Sequence, residues 1–134
     1  MTATDHAVGL IRIAARAASD KLATDLVAFD VSEQLAITDA FLLATGANDR
    51  QVRAIVEEIE DKLREADAKP IRREGRTDGR WVLLDYGDIV VHVQHSEERE
   101  YYALERLWRD CPAIELPAEV HGPPAPGTGT TDDV

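Results

Sequence analysis

Apolar residues recur at three- and four-residue spacing in three stretches of the chain and form short extended runs in five others, and this contrast sets the expected order of elements. Leu10, Ile11, Ala14, Ala15, Ala18 and Leu22 fall on one face of a helix over Ala7–Leu22, with Arg12, Arg16 and Lys21 largely elsewhere. Asp25–Val31 and Asp39–Thr45 are short apolar runs with polar flanks and read as strands. Gly46 opens a turn. Asn48 then has the character of an N-cap, with Gln51 three residues on in a capping-box pattern. Val52, Ile55, Val56, Ile59 and Leu63 make the stripe of a second helix reaching about Ala68, which Pro70 ends. Ile71–Glu74 resumes an extended segment and Gly75–Gly79 is a polar turn. Trp81–Tyr86 and Ile89–Gln94 are separated only by Gly87 and Asp88, which predicts a tight antiparallel hairpin with glycine first in the turn. Ser96 can cap a last helix, with Glu97 and Glu98 at its positive end. Tyr101, Leu104, Leu107 and Trp108 give that helix an apolar side, and Cys111-Pro112 stops it.

The order helix, two strands, helix, three strands, helix predicts an α/β fold: a single domain with a mixed sheet of about five strands and helices packed on it. The crossover from the second strand through the long helix should be right-handed if the third strand runs parallel to the second. The expected boundaries are a flexible N-terminus over 1–6, a folded domain over 7–112 and a tail over 113–134. Pro117, Pro123, Pro124 and Pro126 with Gly122, Gly127 and Gly129 make that tail disordered by composition. No internal repeat is present.

Composition narrows the function classes. The chain of 134 residues is long enough to bury a core without disulfide staples, and its only cysteine, Cys111, excludes an internal disulfide. No apolar run approaches the roughly 20 residues that cross a bilayer. Met1–Asp5 carries no basic segment leading into an apolar one, so no secretion signal is expected and the chain fits a reducing cytoplasm. A net charge of −11 opposes broad binding to phosphate backbones and favours a basic protein partner.

The stretch Trp81-Val82-Leu83-Leu84-Asp85-Tyr86-Gly87-Asp88-Ile89-Val90-Val91-His92-Val93 resembles the signature of the ribosome silencing factor, or Iojap, family. Four further pieces match in the family's order and spacing: Asp25–Val31, Ile37–Phe41, Thr45-Gly46 leading to Arg50-Gln51, and Tyr102–Trp108. The resemblance spans about Ala7 to Asp110. It departs at Asn48, where the family often has a hydroxyl residue that caps equally well, and in the tail. The resemblance implies a nucleotidyltransferase-like fold without established catalysis and with no cofactor. It implies binding to the large-subunit ribosomal protein L-fourteen, which blocks joining of the small subunit and lowers translation when nutrients are short. It also implies a homodimer when free.

A blocking protein needs a surface anchor rather than a catalytic constellation. Along the strand, Trp81, Leu83 and Asp85 share one face, while Val82, Leu84 and Tyr86 share the other. Asp85 makes its own face the wetter one, which places Trp81 outward, although alternation alone leaves a core Trp81 equally open. The resemblance carries Trp81 and Tyr86 over as partner contacts, and Leu83 and Asp85 are taken with them. Lys69, Arg72, Arg73, Arg76 and Arg80 are basic residues in an acidic chain. They read as a solvated hairpin or, for Arg76 and Arg80, as a contact to ribosomal RNA beside the protein site. Tyr101 and Trp108 suit either a dimer seam or packing on the sheet.

An enzyme is the main rival: Asp39, Asp85 and Asp88 could in principle gather around magnesium. No glycine-serine phosphate loop precedes a paired Asp-x-Asp, however, and Thr45-Gly46-Ala47-Asn48 is a weak substitute. His92 and His95, three apart on a strand, point to opposite faces, so no metal is expected there and His92 reads as a hydrogen-bonded histidine within the sheet. Cys111, at a helix C-terminus beside Pro112, reads as a packed thiol.

Overall fold

The structure, a computed structural model, describes residues 3–75, 80–102 and 104–117, with the side chains of 100–105 outside that description. Helix α1 spans Asp5–Asp20. Its start is set by Thr4, whose hydroxyl accepts the Ala7 amide at 3.1 Å. Its Ala-rich stripe, from Ala7 through Leu10, Ile11 and Ala14 to Ala18, is buried. The helix ends before Leu22, because the Leu22 amide bonds Ser19 and the Ala23 amide bonds Ala18 in a closing turn that holds Leu22 at φ 65°. Leu22, expected on the buried stripe, is therefore 77% exposed.

Strand β1 (Thr24–Asp30) and strand β2 (Ala40–Gly46) pair antiparallel, with a register shift between Thr24 and Val27. Helix α2 spans Asp49–Glu65. Asn48 Oδ1 accepts the Gln51 amide at 2.8 Å, as the sequence pattern predicts. Gln51 reaches past the cap, however: its Oε1 accepts the Ala47 amide at 2.6 Å, and its Nε2 donates to the Lys21 and Leu22 carbonyls at 3.0 Å each. One side chain thus ties the C-terminus of α1 to the N-terminus of α2. The α2 helix stops three residues short of Ala68, in a second closing turn through Asp67 at φ 64°.

Strands β3 (Arg72–Glu74), β4 (Trp81–Asp85) and β5 (Ile89–His95) complete a five-stranded sheet in the order β1-β2-β5-β4-β3. The central pair β2·β5 is parallel and the other pairs are antiparallel, so the sheet is mixed as expected. The strand that pairs with β2 across the helical crossover is the fifth in sequence, and the third lies at the far edge. The β4–β5 turn holds Gly87 at φ 84°, and Asp85 Oδ1 accepts the Gly87 amide at 2.9 Å. Helices α3 (Ser96–Tyr102) and α4 (Leu104–Leu107) follow. Ser96 is already helical, and His95 Nδ1 instead accepts the Glu97 amide at 3.1 Å.

Residues on both sides of the 7–112 stretch contact the body of the fold. The Ala3 amide bonds Asp30 and the Thr4 amide bonds Asp39 before α1 begins. Ala113 to Leu116 also belong to the body: Pro112 and Ile114 bond the Asp30 and Ala28 backbones, and Leu116 is 4% exposed. The remaining tail, 118–134, lies outside the described residues.

The two faces of the sheet differ. Helices α1 and α2 cover one, closing a core around Leu42, Ile55, Ile59, Leu63, Leu84 and Ile89. The other face carries a smaller cluster of Phe29, Val31, Phe41, Leu43 and Cys111, with Trp108 and Leu35 packed at its margin. Helix α3 crosses only one end of it, where Arg99 donates to Thr45 Oγ1 at 2.7 Å.

Candidate docking surface

Cross-strand register sets what this second face displays. Trp81 pairs with Gln94, Leu83 with His92 and Asp85 with Val90 on β5, and Phe41 and Leu43 follow on β2. Trp81, Leu83 and Asp85 are half-buried here, while Val82 and Leu84 lie in the helix-covered core. The alternation read from the sequence therefore holds, and Asp85 marks the wetter side.

A groove of about 350 Å³ runs along this face beside β4. Phe41, Leu83, Val90 and His92 contribute to its apolar lining. Ile37 and Ile71 also line it and are 85% and 74% exposed, so large apolar side chains meet water here. Asp85 and Arg72 bring the charges, 3.9 Å apart. Thr38, buried beside the groove, has a hydroxyl with no hydrogen-bond partner among the described residues.

An aromatic row crosses the sheet behind the groove. The Trp81 indole Nε1 donates to His92 Nδ1 at 3.2 Å. His92 meets the Phe41 ring edge-on at 5.3 Å, and Phe41 meets Trp108 edge-on at 5.1 Å. Burial lowers the His92 pKa to about 4, so the ring is neutral at pH 7. His92 is thus hydrogen-bonded within the sheet, as its position on β5 predicted.

The remaining site residues fall into different places. Tyr86 does not share the face of Trp81. It is 8% exposed on the helix side, because it follows Val82 and Leu84 in the alternation. Burial first, and then the Glu60 charge, push its hydroxyl up to about 12. Trp108 packs on the sheet through Phe41, the second of the two readings open to it. The Tyr101 side chain and Arg76 lie outside the described residues.

Arg80 donates to Glu97 at 2.9 Å and to Glu98 at 3.2 Å, and these bonds raise its pKa. Arg72 pairs with Glu74, and Arg73 with Glu60 at 2.5 Å. Most of the basic stretch is therefore ion-paired at the surface. Beside Arg80 lies an open hollow of about 600 Å³ lined also by Arg50, Arg53 and His95 at the start of α2. Arg50 entered the sequence reading only within a family-like piece and Arg53 not at all, since only the fold brings α2 beside Arg80.

The three aspartates of the rival reading are held by separate partners. Asp39 accepts the Thr4 amide, Asp85 the Gly87 amide, and Asp88 lies 3.6 Å from His6. Among the described residues no group of three or more His, Cys, Asp or Glu side chains could hold a metal ion. Burial, with Asp110 and Asp30 nearby, raises the Cys111 thiol pKa, which disfavours the reactive thiolate. No helix among the described residues is long and apolar enough to cross a membrane.

Fold and site together define a single-sheet α/β protein with one face sealed by helices and the other bearing an aromatic, apolar groove. The chain matches the family described as "Ribosomal silencing factor during starvation" over residues 4–133, and it belongs to that family. It is 45% identical over 107 residues to a protein of Bacillus subtilis named ribosomal silencing factor RsfS, covering 80% of this chain and 91% of that one. A protein of the same name from Halalkalibacterium halodurans is 43% identical, covering 80% of this chain and 92% of its own length. A crystal structure from Chromobacterium violaceum superposes with a TM-score of 0.73 at 34% identity, covering 82% of this chain and 92% of that one.

Proposed function

We propose that this protein is a ribosome silencing factor without catalytic activity. It docks through the groove face onto protein L-fourteen of the large ribosomal subunit and obstructs joining of the small subunit, repressing translation in the cytoplasm under nutrient limitation. The observation that carries this reading is family membership along nearly the whole chain, 4–133. The choice of L-fourteen follows the sequence resemblance. The groove face supports it physically, because Trp81, Leu83 and Asp85 lie on the side of β4 opposite Val82 and Leu84, which helices α1 and α2 cover. Interface cores use aromatic and aliphatic anchors, and a chain of net charge −11 is drawn to a basic ribosomal protein. The free protein is proposed to be a homodimer.

Mixing purified large and small subunits with an excess of the protein, followed by sedimentation, tests the function. The expected result is loss of the joined particle. Trp81→Ala should weaken binding to the isolated ribosomal protein by roughly 2 kcal/mol or more, as loss of a hot-spot aromatic does. Joining that proceeds equally with and without the protein overturns the proposal.

A further inference from the structure

An indole N–H is a donor only, and a half-buried one needs an acceptor. Trp81 opens β4, and its backbone alone leaves several side-chain rotamers open to the ring. The acceptor comes from the neighbouring strand. His92 sits diagonally across from Trp81 on the same face, and its Nδ1 lies 3.2 Å from the indole nitrogen. The imidazole is itself braced. It is 8% exposed, and Phe41 packs edge-on against it with an interplanar angle of 72°. Phe41 is held in turn by Trp108 at 86°.

We propose that His92 is a positioning residue: its Nδ1, unprotonated in the tautomer that carries hydrogen on Nε2, holds the Trp81 indole in one orientation before a partner arrives. An anchor set in this way gives up less rotamer freedom on binding. The proposal rests on the docking role given to the groove face, and its test separates the two.

The first measurement uses the wild-type protein. Nitrogen-15 spectra should show His92 Nδ1 unprotonated and coupled through the hydrogen bond to Trp81 Nε1. A protonated Nδ1 overturns the proposal, whatever the variants do. His92→Leu keeps comparable bulk and removes the acceptor. It should speed solvent exchange of the Trp81 indole proton several-fold and weaken large-subunit binding about five- to ten-fold. His92→Asn places an amide oxygen near the position of Nδ1 and should restore much of both. In a Trp81→Phe background, which lacks the donor, His92→Leu should cause no further loss of binding. Unchanged indole exchange in folded His92→Leu overturns the positioning role. If exchange responds while His92→Leu and Trp81→Ala both bind subunits like wild type, the docking reading fails, and the hydrogen bond stands as a property of the free protein.

Discussion

His92 makes the stability of this protein depend on pH in a window where few other groups act. Its folded-state pKa is lowered to about 4 by burial, against an ordinary value of 6.5. The unfolded chain therefore binds a proton more readily than the folded one. The stability tied to the neutral ring is fully present above pH 6.5, is lost progressively as pH falls toward 4, and falls no further below that. At about 1.36 kcal/mol per pKa unit the whole loss is roughly 3 kcal/mol, of which about 1.4 kcal/mol has gone by pH 5.5. Ordinary carboxylates titrate mostly below this range, so the histidine can be isolated from them. Phe41, Trp81 and Leu83 surround the ring, and the charges of the adjoining groove are those of Asp85 and Arg72. The assay is urea unfolding at several pH values between 7 and 4.5, for wild type and for His92→Asn. The difference in stability between them should shrink by roughly 2.5 kcal/mol across that span. Parallel curves, or a His92 midpoint near 6.5 in a direct NMR titration, would show that burial does not suppress the charge.

Two further outcomes follow from backbone geometry and the interhelical tie. Gly75 has φ 84°, and a Cβ there would lie 1.9 Å from the Trp81 carbonyl oxygen, a backbone atom that cannot rotate away. Gly75→Ala should cost about 2 kcal/mol or more in thermal or urea melts and shift the Trp81 fluorescence, since the change falls at the entry to β4. Gln51→Ala removes the acceptor of the Ala47 amide and both bonds to the end of α1, and should cost about 1–2 kcal/mol by urea unfolding. A loss below a few tenths would mean that water replaces those bonds.

Local patterns wrote much of this fold into the sequence. Period-two alternation along Trp81–Tyr86 assigned the two faces of β4, and Asn48 with Gln51 marked the start of α2. What could not be read depended on contacts distant in sequence. Leu22 fits a helical stripe by spacing, and only the closing turn onto Ala18 and Ser19 turns it outward. Ala113 to Leu116 looks like the start of a tail until its backbone meets β1. The resemblance offered Tyr86 as a contact, whereas alternation already set it opposite Trp81, and the structure follows the alternation. Ile37, Ile71 and Phe41 belong to the groove through a pairing order in which β5 enters between β2 and β4, which no local signal encodes.

The way the sheet borders are finished limits how copies of this chain can stick to one another. Along β1, the stretch near Asp30 is stitched to Pro112 and Ile114, and the stretch near Asp25 is bent out of line by the register shift and a φ of 51°. Along β3, the border is three exposed charged residues, Arg72, Arg73 and Glu74. Neither border offers a long, flat, apolar template for strand-by-strand growth into fibrils. Crowding should therefore not extend this sheet from one copy into the next.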